Sequence, residues 1–110
     1  MEQLRIVGYI ASMERDAIID ELQRLRPALH AEGVVHLALF GSRARGDNRP
    51  DSDIDLLIDI DPASRFSLLN LVGVEHLVAD ATGVPANAFM RRSLDASFAE
   101  KATREAIPVF

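Results

Sequence analysis

The chain has 110 residues, 48% of them hydrophobic and 26% charged, the balance of one globular domain with room for a single layered core. It has no cysteine, which excludes a disulfide framework and a thiolate metal site and fits a reducing compartment. Its formal net charge of −5 argues against long DNA or RNA as the main ligand, because such binders carry a basic face; a basic protein partner or a cation-holding site suits it better.

At the amino terminus, MEQLRIVGYIASMERD carries Glu2 ahead of its short apolar stretch and Arg5 within it. A secretory signal wants a basic lead and a longer apolar block, so a cytoplasmic protein is expected. No apolar run approaches the roughly 18 residues of a membrane span, so no membrane association is expected. Residues 13–25 place Ile18, Ile19, Leu22 and Leu25 at helical spacing, with Ser12 as the expected N-cap. Pro27 breaks that ladder and suits the first turn of a second helix, PALHAE, closed by Gly33. The β-rich run VVHLALF, residues 34–40, is too short for a helix and reads as a buried strand. GSRARGDNRPDS then reads as a loop.

Residues 53–61 alternate strictly. Ile54, Leu56, Ile58 and Ile60 take one face of a strand; Asp53, Asp55, Asp59 and Asp61 take the other, with Leu57 among them. Pro62 ends this strand, and residues 67–81 read as an amphipathic helix carrying Leu68, Leu69, Val72, Leu77 and Val78, stopped at Gly83. A short strand at residues 86–90, a last helix from Asp95 to about Ala106 and the tail IPVF complete the order. Without a repeat or linker, residues 1–110 form one α/β (α+β) domain: a three- or four-stranded mixed sheet with helices on one face.

The chemistry gathers between residues 41 and 55. Alternation sets Asp53 and Asp55 on one face, about 7 Å apart at Cα. Two carboxylates so placed repel unless a cation sits between them, and hard oxygen donors select Mg²⁺ or Mn²⁺. Upstream, Gly41 lets backbone approach a ligand, and Ser42 offers a hydroxyl and an N–H. Arg43 and Arg45 carry guanidinium forks suited to phosphate oxygens, although either could equally be a solvated loop charge. A phosphate-holding turn facing a divalent-metal pair is the equipment of phosphoryl chemistry. A D-x-D on a strand alone is more often a solvated face, and a lone Gly-Ser a turn; their joint spacing carries the argument.

Gly41-Ser42, ten residues (43–52), then Asp53-Ile54-Asp55 is the G-S-x10-D-x-D pattern of polymerase-β-like nucleotidyltransferases. LALFGSRARGDNRPDSDIDLLIDI and the later RRSL resemble the minimal nucleotidyltransferases over nearly their whole length. The resemblance implies that Gly41 and Ser42 hold the triphosphate of ATP, with Arg43 assisting, and that Asp53 and Asp55 bind Mg²⁺. It implies an antitoxin that moves AMP from ATP to a tyrosine of a HEPN-domain toxin, in a hetero-oligomer with that partner.

One position departs from the pattern. Family members usually carry a third carboxylate on the next strand; counting back from Arg91-Arg92-Ser93-Leu94, that position is Asn87. An amide can offer an oxygen to a metal but cannot accept a proton near neutral pH. Three readings stay open: the strands are misaligned, the base comes from water or the partner, or the enzyme is weak or inactive and neutralises its toxin by binding alone. Asp59 and Asp61 read as solvating, and His30, His36 and His76 as packed or surface residues. Arg91 and Arg92 either meet phosphates or toxin, or solvate a strand end. The chain is too short for the substrate domain of a small-molecule nucleotidyltransferase. Val72, Val74, Leu77 and Val78 exceed one helix face, and with the tail 107–110 they are candidate contacts.

Overall fold

The computed structural model describes residues 14–110. Ser12 and the amino-terminal apolar stretch lie outside the described residues. Helix α1 spans Arg15–Arg24, with Glu14 rather than Ser12 in the N-cap position, and α2 spans Arg26–Glu32. Pro27 sits in the first turn of α2, where its missing N–H costs nothing, and Gly33 closes the helix at φ 108°. Strand β1 (Val34–Phe40) follows, then α3 (Ser42–Arg45), β2 (Ile54–Ile60), α4 (Leu68–Thr82) and β3 (Ala86–Met90). A 3₁₀ turn (Arg91–Ser93), α5 (Ala96–Glu105) and β4 (Ile107–Pro108) end the chain.

The sheet is mixed and four-stranded, in the order β3-β2-β1-β4. β1 runs antiparallel to β2 and β4, while β2 and β3 are parallel. A parallel pair needs a crossover, and α4 provides it.

Ile54, Leu56, Ile58 and Ile60 are all buried, as the alternation requires, with Leu37 and Leu39 of β1 beside them. Ile18, Leu22 and Leu29 from α1 and α2, and Val74 and Val78 from α4, cover this face. Leu57 interrupts the acidic face, and the structure supplies the reason. It is fully buried in a smaller cluster with Ala38, Phe40 and Ala102, so α5 adds cover on the second face as well. The acidic face is therefore roofed at its centre and open at the end where β2 begins.

Two further expectations change. The tail is a short strand: Ile107 pairs with Leu39 and Pro108 with Ala38. Pro108 is tolerated because β4 is an edge, where no ladder donor is required of it. In α4 the buried positions are Val74, Val78 and Thr82, whereas Leu68 and Leu69 are 73% and 83% exposed. The apolar residues outnumber the positions that face the sheet, so composition misplaced the stripe by about a third of a turn.

Candidate active site

The site is built where β1 ends and β2 begins. Phe40 pairs with Asp55 across β1 and β2, and Asp55 pairs with Asn87 across β2 and β3. The Gly41 turn, Asp55 and Asn87 thus form a row across the sheet end, with Asp53 just ahead of the strand. An Ile54 N–H bond to Pro85 O of 2.8 Å pins the β2 entrance against the β3 side.

Gly41 adopts φ 78° and ψ −159°, a region open to glycine and strained for other residues. It then initiates one turn of helix, with Ala44 and Arg45 N–H both bonded to Gly41 O at 3.1 Å. Ser42 opens that turn, half-buried, and the carboxylate of Asp55 lies against Gly41.

The Asn87 amide is bonded to both acids: Nδ2 donates to Asp53 Oδ2 at 3.1 Å and to Asp55 Oδ1 at 3.3 Å. One side chain therefore spans the pair and holds both carboxylates toward the same space. In the register of β2 and β3, Asn87 stands directly opposite Asp55. Asp53 is exposed and Asp55 half-buried. Burial pushes the Asp55 carboxyl above its ordinary value of 3.8; the Asn87 hydrogen bond opposes this, the Asp53 charge adds to it, and Arg45 opposes it weakly.

Arg43, read from the sequence as either an assisting phosphate contact or a solvated loop charge, has a side chain only 5% exposed that holds the loop leading into β2. Its Nε donates to Ser52 O at 3.0 Å and its Nη2 to Pro50 O at 3.3 Å. The guanidinium is thus buried with carbonyl acceptors that satisfy its donors. Arg45 stays outside, bonded to Asp47 at 3.1 Å and paired with Glu105 at 3.7 Å.

The other acids in and just after β2 are used elsewhere. Asp59 Oδ1 accepts from Arg91 Nε at 2.9 Å, and Arg91 also reaches Thr103 of α5 at 2.6 Å. This pair ties the far end of the sheet to α5, so Arg91 meets an acid rather than solvent alone. Asp61 Oδ1 accepts the Ala63 N–H at 2.9 Å and shapes the turn after β2. His36 is exposed beside Asp59, and His30 lies 5.6 Å from the Phe110 ring. What the sequence reading missed was an aromatic group on the acid-bearing face: Phe40 lies 5.5 Å from Phe89 and 6.4 Å from Phe98. Phe40 and Phe89 sit at alternate positions from Leu39 and Ala88, and that alternation was the available signal.

Among the described residues no group of three or more His, Cys, Asp or Glu assembles, so the charged donors here are two carboxylates. Their chemistry suits a hard divalent ion. Both are oxygen donors, they are held together, and Asp55 bears an ionisation cost that a cation would offset. Such an ion completes its shell with water and phosphate oxygens, so an all-protein cage is not needed.

A mixed sheet with a glycine turn abutting a carboxylate pair is the framework of a nucleotidyltransferase. Residues 15–109 match the family model for the nucleotidyltransferase domain, and the chain belongs to that family; it is a nucleotidyltransferase. It is 32% identical over 77 residues to the protein adenylyltransferase MntA of Thermococcus cleftensis, covering 70% of this chain and 76% of that one. A solved structure assigned to a minimal nucleotidyltransferase superposes with a TM-score of 0.66 at 32% identity, covering 82% of this chain and 94% of the other. A chain of a toxin–antitoxin crystal structure with AMP-PNP shares the fold, with a TM-score of 0.65 at 16% identity over 80% of this chain and 72% of that chain.

Proposed function

We propose that this chain is a magnesium-dependent protein adenylyltransferase that moves AMP from ATP to a tyrosine hydroxyl of a HEPN-domain toxin, and so serves as the antitoxin of a cytoplasmic pair. The observation that carries the reading is the Asp53–Asp55 pair held in common beside the Gly41 turn. A relative named a protein adenylyltransferase supports transfer to protein, and a structural neighbour solved as a toxin–antitoxin complex with AMP-PNP supports the partner and the nucleotide.

In this reading Asp53 and Asp55 hold Mg²⁺, with Mn²⁺ as the alternative. When bound, the ion neutralises triphosphate charge and orients the phosphates. Gly41 lets the backbone come against the phosphate chain, and Ser42 contributes its hydroxyl and N–H there. Arg43 is a positioning residue, fixing the loop that delivers Asp53. The acceptor oxygen attacks the α-phosphorus in line, the P–O bond to pyrophosphate breaks, and AMP remains on the acceptor. Asn87 cannot take the hydroxyl proton, so that proton passes to water or to a group of the partner.

Asn87 also favours a second reading, an antitoxin that binds its toxin and neutralises it by occlusion. One experiment separates the two. The protein is mixed with the product of its genomic neighbour, Mg²⁺ and ATP, and the partner's intact mass is taken. Mass added in AMP units, absent with the double variant Asp53→Ala/Asp55→Ala, supports transfer. A partner bound and silenced without added mass refutes it and leaves occlusion.

A further inference from the structure

We propose that this site works with a single divalent cation and that Asn87 sets the number. The inference rests on the metal-dependent reading above and deepens it.

Two-ion phosphoryl-transfer sites place their ions about 3.5–4 Å apart, one serving the attacking oxygen and one the leaving oxygen. Ions that close repel strongly, and carboxylates shared between them are what make the arrangement tolerable. Here the anionic donors reaching the common space are Asp53 and Asp55. Among the described residues no third acid joins them; Asp59 is engaged with Arg91, Asp47 and Glu105 with Arg45, and Glu75 with the Ala88 N–H at 2.9 Å.

The third place in the row, opposite Asp55, belongs to Asn87. Its amide is neutral and presents N–H donors to both carboxylates, at 3.1 and 3.3 Å. Turned over, it would offer one carbonyl oxygen and no charge. Two carboxylates balance one divalent ion. A triphosphate brings oxygens to an ion on its own side, whereas an ion on the acceptor side would depend on position 87. The attacking hydroxyl therefore goes without a metal ion of its own, and Asn87→Asp supplies the missing charge.

The test counts ions rather than turnover. Mn²⁺ is titrated into the full chain with one equivalent of AMP-PNP and followed by electron paramagnetic resonance, beside the Asp53→Ala/Asp55→Ala protein with the same nucleotide. The expected result is one carboxylate-dependent Mn²⁺ per chain for the natural sequence and two for Asn87→Asp, whose fold is checked by circular dichroism. Two ions in the natural protein overturn the proposal without need of any variant. One ion in a folded Asn87→Asp protein overturns the role of position 87. A natural protein taking no more Mn²⁺ than the double variant would overturn the metal reading itself, which is a different failure.

Discussion

The backbone of Gly41 lies so close to Asp55 that a Cβ added at residue 41 would sit 2.5 Å from Asp55 Oδ2 and 3.2 Å from its Cβ. The φ of 78° excludes a side chain independently. The Gly41 turn and the Asp55 carboxylate are thus set against each other with no room between them.

Gly41→Ala should fail on both counts. Residue 41 must leave its conformation at a cost of about 1–3 kcal/mol, or Asp55 must move. A shift of about 1 Å at a phosphoryl-transfer site costs on the order of 100-fold in rate. Urea melts and AMP-transfer kinetics read the two effects. An alanine protein with natural stability and rate would remove the close approach from the argument.

Asp55 should trade stability for function. Its folded pKa is raised, so the folded state binds more protons than the unfolded chain as pH rises from about 3.8, and stability falls through the folded value. Near neutral pH, without divalent ions, Asp55→Asn should therefore melt higher than the natural protein, with the gap closing in acid. On the proposed reading transfer activity should be lost, because the carboxylate pair is halved. Melts with and without Mn²⁺ check the sign: the ion should stabilise the natural protein and leave Asp55→Asn nearly unchanged.

Arg43 separates two roles by its kinetics. As a loop clamp, Arg43→Met should lower stability by about 2–3 kcal/mol, the scale of charge-assisted hydrogen bonds lost inside. It should also increase proteolysis between residues 46 and 52. Arg43→Lys should rescue little, since one ammonium cannot reproduce the fork that meets two carbonyls. A phosphate contact would instead raise the KM for ATP with stability untouched.

The sheet end was legible because its signals are local. The alternation over residues 53–61 needs only the period of a strand, and it located both the buried isoleucines and the acids. Leu57 broke the pattern visibly, but its partner Ala102 lies 45 residues on, and no local rule connects them. Arg43 and Arg45 look alike in sequence. One is buried and the other exposed because the α3 turn points them apart, a tertiary outcome. β4 escaped notice because pairing of two residues is too short for any period to show. The exposed Leu68 and Leu69 illustrate the converse: an apolar excess reveals that a helix packs, not which residues do.

Asp95 gives a prediction whose pH course distinguishes a cap from an ordinary surface acid. Its Oδ1 accepts from the backbone N–H of Ser97 at 3.0 Å and of Phe98 at 3.1 Å, opening α5 over Leu57. The Phe98 and Ser97 bonds hold the carboxyl below its ordinary 3.8. Stability from this ionisation is therefore fully present above 3.8 and is lost as pH falls through the lower folded value. Asp95→Ala should melt lower than the natural protein at neutral pH, with the deficit shrinking in acid. Asp95→Asn should retain most of the cap, since asparagine is as good an N-cap, while losing this pH dependence. Thermal melts of the three proteins across the acid range decide it, and parallel curves for natural protein and Asp95→Asn would show that the carboxylate charge plays no part in seating α5.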